Sequence, residues 1–180
     1  MTARRLLLAA GLLIGPATAG AQDAFPATAE DRIAVAVAAF RTAIVHGQLT
    51  AHGDAAPDVL CLAAMLPTSS TASLQSRLAE PDSSVVALLR ERFPAVRPIS
   101  ACRIEPLRDA LDNTSLVVER ETGKRGLVIW IEPAKRNTVG AVVARLGYYE
   151  NGFSAADWVC AVRRIDDEWI VNACRMTRIS

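Results

Sequence analysis

The sequence predicts an α+β fold, with N-terminal helices packed on a curved antiparallel β-sheet meander. Three observations predict it. Apolar residues recur at clear helical spacing only before Pro94. From Val96 onward, runs rich in β-branched and aromatic residues alternate with turn residues. Finally, Asn151-Gly152 stands between two such runs, and Asn-Gly is a strong hairpin signal because both residues accept positive φ.

The first helix has the firmest grounds. Thr28 stands at its N-cap position, and Glu30 and Asp31 fall in the first turn, where the helix dipole favours negative charge. Ile33, Val37, Phe40 and Ile44 form one apolar stripe, with Ala36 and Ala43 beside it. The stripe carries the helix to His46, with Gly47 as its stop. Residues 48–57 read as a loop. Val59–Met65 is short and apolar, and its period does not distinguish a strand from a buried helix. Ser69–Leu78 is a weak helix. Asp82 or Ser83 caps a clearer one, built on Val85, Val86, Leu88, Leu89 and Phe93 and terminated by Pro94.

The expected strands are Val96–Glu105, Ser115–Arg120, Gly126–Glu132, Val139–Tyr149, Ala155–Ile165 and Trp169–Ile179. Turn material separates them at 121–124, 133–138, 151–152 and 166–168. No internal repeat, linker or low-complexity stretch interrupts the chain. One domain over residues 22–180 is expected.

The first 21 residues read differently. Arg4-Arg5 precede the apolar run Leu6–Ile14, then Gly15-Pro16 and the small triplet Ala19-Gly20-Ala21. A short positive region, an apolar core and an A-x-A end make a signal peptide, cleaved before Gln22. The apolar run is too short to be a membrane anchor, since a span takes about 20 residues. A periplasmic or secreted protein is therefore expected, and 18 Arg and 32 Ala against 2 Lys suggest a GC-rich bacterial genome.

Removing the leader takes away two of the 20 basic side chains and leaves all 19 acidic ones, so the mature chain is nearly neutral. That argues against a nucleic-acid partner, which usually requires a basic footprint.

Cys61, Cys102, Cys160 and Cys174 all lie in the mature part. An even count in an exported chain reads as disulfides, with three possible connectivities. Cys61–Cys102 with Cys160–Cys174 is favoured. If Asp167 centres the last hairpin turn, position 160 lies opposite 174; the other bridge follows by elimination. A two-residue turn at Asp166-Asp167 would break that register. The spacing contains no C-x-x-C pair and does not suggest zinc.

The order of parts, with Arg164-Ile165-Asp166-Asp167-Glu168-Trp169-Ile170-Val171 as an acidic turn entering a Trp-bearing final strand, resembles the nuclear transport factor 2-like (SnoaL-like) cone fold. The resemblance covers about residues 28–180 and implies a sheet curled around the first helix. Residues 48–95 and the cysteine pairs depart from that family's simple form. Its members include enzymes, ligand binders, immunity proteins and assembly modules, so it assigns no activity.

No catalytic set emerges from the residues. His46 and His52 are the only histidines. His46 at a helix C-terminus is explained by the dipole alone, and the sharper reading pairs it with a carboxylate such as Asp54 as an acid–base couple. His46 and His52 match no metal spacing. Ser154 in Gly152-Phe153-Ser154-Ala155-Ala156 mimics a nucleophile elbow in a hairpin rather than a strand-to-helix turn. There is no G-x-G-x-x-G, Walker loop or H-E-x-x-H, so no catalytic residue, metal or cofactor is assigned.

Trp130, Tyr148, Tyr149, Trp158 and Trp169 fall in strands, with Tyr148 and Tyr149 on opposite faces. The expected function is an exported, non-enzymatic module binding a small ligand or a protein partner through the sheet. The alternatives are a pocket isomerase, dehydratase or hydrolase using His46, or an immunity or inhibitor protein.

Overall fold

In the computed structural model, residues 28–50, 57–66, 73–106, 115–151 and 154–179 are described. Helix α1 (Ala29–Thr50) opens on the Thr28 cap, whose Oγ1 accepts from Asp31 N at 3.0 Å. Strand β1 (Val59–Met65) follows, then the short α2 (Leu74–Arg77), β2 (Leu78–Ala79) and α3 (Ser83–Arg92). Asp82 caps α3 by accepting from Ser84 N at 2.8 Å, and the helix ends at Phe93, before Pro94. Next come β3 (Val96–Pro98), a 3-10 turn (Ile99–Ala101), β4 (Cys102–Pro106) and β5 (Ser115–Glu119). The chain finishes with β6 (Gly126–Ile131), β7 (Lys135–Arg136), β8 (Val142–Asn151), β9 (Ser154–Ile165) and β10 (Glu168–Ile179).

The architecture is α+β, with α1 packed on a largely antiparallel sheet. The main strand order is β10-β9-β8-β6-β1-β2. The sheet is open and uncurled: pairing does not join β10 at one side to β2 and β3 at the other. The nuclear transport factor 2-like cone therefore does not form, and the curvature expected with it is absent. Residues 48–95 supply the reason, because they donate β1 to the middle of the sheet. β1 pairs in parallel with β6 on one side and with β3 on the other, so the sheet is mixed rather than a simple meander. Both central strands are buried on both faces, as parallel strands usually are. That is why Val59–Met65 shows no alternation.

One face of the sheet lies under α1 and α3, with Leu60, Leu62, Leu127, Ile129, Leu146 and Trp158 in its core. The second face is a separate apolar cluster of Val59, Cys61, Ala63, Met65, Val128 and Trp130. Leu74 and Leu78 from the α2–β2 segment and Ile99 from the 3-10 turn pack against it.

Gly47 does not stop α1; the helix runs on through it. A Cβ there would stand 2.9 Å from Ile129 Cδ1, so the missing side chain lets α1 lie close on the sheet. At the other end of α1, Trp169 Nε1 donates to Asp31 Oδ1 at 2.9 Å and Arg164 lies 3.6 Å away. The indole donation, then the Thr28 hydroxyl, hold the Asp31 carboxyl below its ordinary range.

Cys61 is bonded to Cys102 and Cys160 to Cys174. The last hairpin nevertheless turns on two residues, Asp166 and Asp167, both with left-handed φ (48° and 64°). That turn pairs Ile165 with Glu168 and, alone, would leave 160 and 174 out of register. A bulge at Asn172 adds one residue to β10 and brings Cys174 opposite Cys160. The β8–β9 hairpin forms, with Asn151 paired to Ser154 and still within its strand; residues 152–153 lie outside the described residues. Among the described residues, no helix is long and apolar enough to cross a membrane.

Candidate functional site

Two cavities of ≈ 290 Å³ each flank the end of β6 where Glu132 leaves the sheet. The first lies on the helix face between α1 and α3. Ile33, Ala36, Phe40, Val85 and Ala144 make it apolar, with Arg32, Asp82 and Glu132 among its lining. The second lies on the opposite face, beneath α2, and is the more polar. It brings together Arg77, Arg145 and Arg178 with Glu132 and Asp157, beside Met65, Trp130 and Tyr149.

Strand alternation builds the second cavity. Arg145, Gly147 and Tyr149 project from one face of β8, and Asp157, paired with Gly147, from the same face of β9. Arg178 comes from β10, opposite Asp157, and Trp130 from β6, opposite Gly147. Gly147 permits the arrangement. A Cβ there would lie 2.4 Å from Trp130 Cζ2, so the indole lies directly over the β8 backbone. Trp130 is 5% exposed. Tyr149 is fixed by a 2.6 Å hydrogen bond between its hydroxyl and that of Ser115.

The charged groups are close but loosely matched. Arg178 Nε lies 3.4 Å from Asp157 Oδ2, and Arg145 Nη1 lies 3.3 Å from Glu132 Oε1, with Lys135 Nζ at 3.8 Å from Oε2. Arg77 Nε is buried and, among the described residues, has no hydrogen-bond partner. Asp157 is buried, at 8% exposure. Burial pushes its carboxyl up, against the downward pull of Arg178, Arg145 and Arg77. Such a set of donors and acceptors can hold a small polar ion.

The residues singled out from sequence lie elsewhere. His46 is part-buried on α1, and its ring stacks on Trp158 with centroids 5.1 Å apart. Its proposed partner Asp54, like His52, lies outside the described residues. Ser154 begins β9, buried, with its hydroxyl 3.4 Å from that of Tyr148. It stands in a hairpin strand, not on a strand-to-helix turn. All four cysteines are oxidised. Among the described residues, no group of three or more His, Cys, Asp and Glu is placed to hold a metal ion.

Sequence reasoning passed over Arg77, Glu132, Arg145, Asp157 and Arg178. A signal was present in one of them. Asp157 is a charged residue within the buried apolar run that opens β9, where a charge needs a reason. No family model, curated protein or solved structure matches the chain.

Proposed function

We propose that the protein is an exported, non-enzymatic binding module whose ligand, a small organic ion bearing a carboxylate, enters the second-face cavity. One observation carries the reading. Three arginines and two carboxylates converge on an aromatic-floored cavity, and among the described residues the buried Arg77 Nε has no partner. Buried polar groups are ordinarily satisfied, and an arginine fork matches a carboxylate oxygen for oxygen. The N-terminal leader pattern and the two disulfides support an oxidising compartment.

Thermal unfolding against a panel of small carboxylates tests the proposal, with R77A/R145A as the control. At ligand 100-fold above Kd, binding adds about 2.7 kcal/mol, so at least one carboxylate raises Tm in the native chain and not in the variant. No stabilisation by any carboxylate, or an equal shift in the variant, refutes it.

A catalytic reading has one observation in its favour: a buried carboxyl with a raised pKa beside arginines is also the environment of a general acid. Turnover of a bound carboxylate that D157N abolishes would support that reading instead.

A further inference from the structure

We infer that the ligand is a zwitterion, an α-amino acid, with its carboxylate on the arginines and its ammonium on Asp157 and Glu132. The inference rests on reading the second-face cavity as the binding site and names what that site selects. A ligand carrying only negative charge would face the Asp157 and Glu132 carboxylates as well as the arginines. One carrying only positive charge would face Arg77, Arg145 and Arg178. A molecule with both charges, separated by one carbon, satisfies both sets at once.

The spare bonding capacity of the lining points the same way. The side chains of Asp157 and Glu132 are only 11% and 15% exposed. Each is held only at ion-pair distance, Glu132 by Arg145 at 3.3 Å and Lys135 at 3.8 Å and Asp157 by Arg178 at 3.4 Å, which leaves both carboxylates able to accept further donors. An ammonium group supplies three donors to acceptors of this kind. Arg77 Nε, buried and without a partner among the described residues, is the complementary donor. Met65, Leu74 and Trp130 give the remaining wall an apolar character suited to an uncharged side chain. A volume of ≈ 290 Å³ lies at the lower limit of the usual range for ligand pockets, about 300–1,000 Å³, which fits one amino acid rather than a peptide.

Isothermal titration of the purified protein with each of the twenty protein amino acids is the test, followed by the des-amino acid and the decarboxylated amine of the tightest binder. For leucine these are 4-methylpentanoate and 3-methylbutylamine. The expected result is an amino acid that binds about tenfold or more tightly than either counterpart, because a site built to hydrogen-bond a group rejects the analogue lacking it. D157N, or E132Q if that variant does not fold, brings the amino acid and its des-amino form to within about twofold of each other. R145A weakens both together.

A des-amino acid that binds as tightly as its parent overturns the zwitterion and leaves a carboxylate site standing. Binding of other small carboxylates but of no amino acid does the same. Failure of every carboxylate, amino acids included, removes the site itself.

Discussion

Replacing Gly147 with alanine places a methyl group where the second-face cavity has no room for one. The new Cβ would sit 2.4 and 2.7 Å from two ring atoms of Trp130 and 2.6 Å from the Ala156 carbonyl oxygen. Carbon atoms in contact settle at about 3.5–4.0 Å, so the indole must retreat by about 1 Å. Trp130 is wedged in the second-face core, and the carbonyl belongs to a paired strand, so neither neighbour yields easily. Overpacking of this kind costs about 1–3 kcal/mol, and the backbone contact puts this case near the upper end. Alanine recovers about 0.5–1 kcal/mol over glycine in a strand, leaving a net loss of about 2 kcal/mol. For a chain of this length that lowers Tm by about 4–8 °C. Differential scanning calorimetry of G147A reads it directly. A double-mutant cycle with W130A isolates the cause: the cost of G147A falls by about 1 kcal/mol once the ring is gone. A G147A protein with unchanged or higher Tm would refute the packing account.

Four further outcomes are expected. Removing the Cys61–Cys102 bond, which spans 41 residues, costs about 4 kcal/mol by loop entropy, and removing Cys160–Cys174, which spans 14, about 3; urea titration of C61A/C102A and C160A/C174A checks the order. The buried Glu150 pairs with Arg125, so R125A strands a carboxylate and costs about 3 kcal/mol, while E150Q, which removes the charge, costs less on the same titration. Burial raises the Asp157 pKa above 3.8, so the folded chain holds that proton more firmly than the unfolded chain. Its contribution to stability therefore falls as pH rises from 3.8 through the folded value, and D157N flattens that fall in urea midpoints taken across the acid range. Glu119 behaves oppositely. Thr122 donates to it, and Arg97, at 2.9 Å, also helps hold its pKa below 4.5, so its contribution is present above 4.5 and lost as pH falls through the lowered value; E119Q removes that loss.

Helices α1 and α3 and the last three strands were legible because their signals are local, whereas of the helix expected over Ser69–Leu78 the described residues hold only Leu74–Arg77, with Leu78 in a strand. Thr28, Asp82 and Pro94 act within one turn of chain, and the β8–β9–β10 hairpins carry turn residues between alternating runs. β1 was not legible as a strand because it is buried on both faces, and a run without a wet side has no period to read. The cone resemblance failed at the same place, since nothing local shows β1 docking between β3 and β6. Gly47 reads as a helix stop until Ile129, far along the chain, is seen against it. The favoured disulfide pairing assumed the wrong turn: Asp166-Asp167 is the tight form, and a bulge at Asn172, which no side-chain rule announces, restores the register. The candidate site needed tertiary structure outright. Arg77, Arg145 and Asp157 meet only because α2 covers one end of the second face.

The central position of β1 also bears on how the chain reaches its native state. β8, β9 and β10 follow one another and can zip together as successive hairpins. β1 is made early, but both its parallel partners are non-local, and its longer pairing, with β6, waits until Gly126–Ile131 exists to receive it. Such non-local pairing lengthens the loop that must close before any contact rewards it and slows folding. The C-terminal strands are therefore the natural nucleus, and α1 with β1 joins it afterwards. In a φ-value experiment, V162A in β9 would slow folding, whereas L62A in β1 would chiefly hasten unfolding.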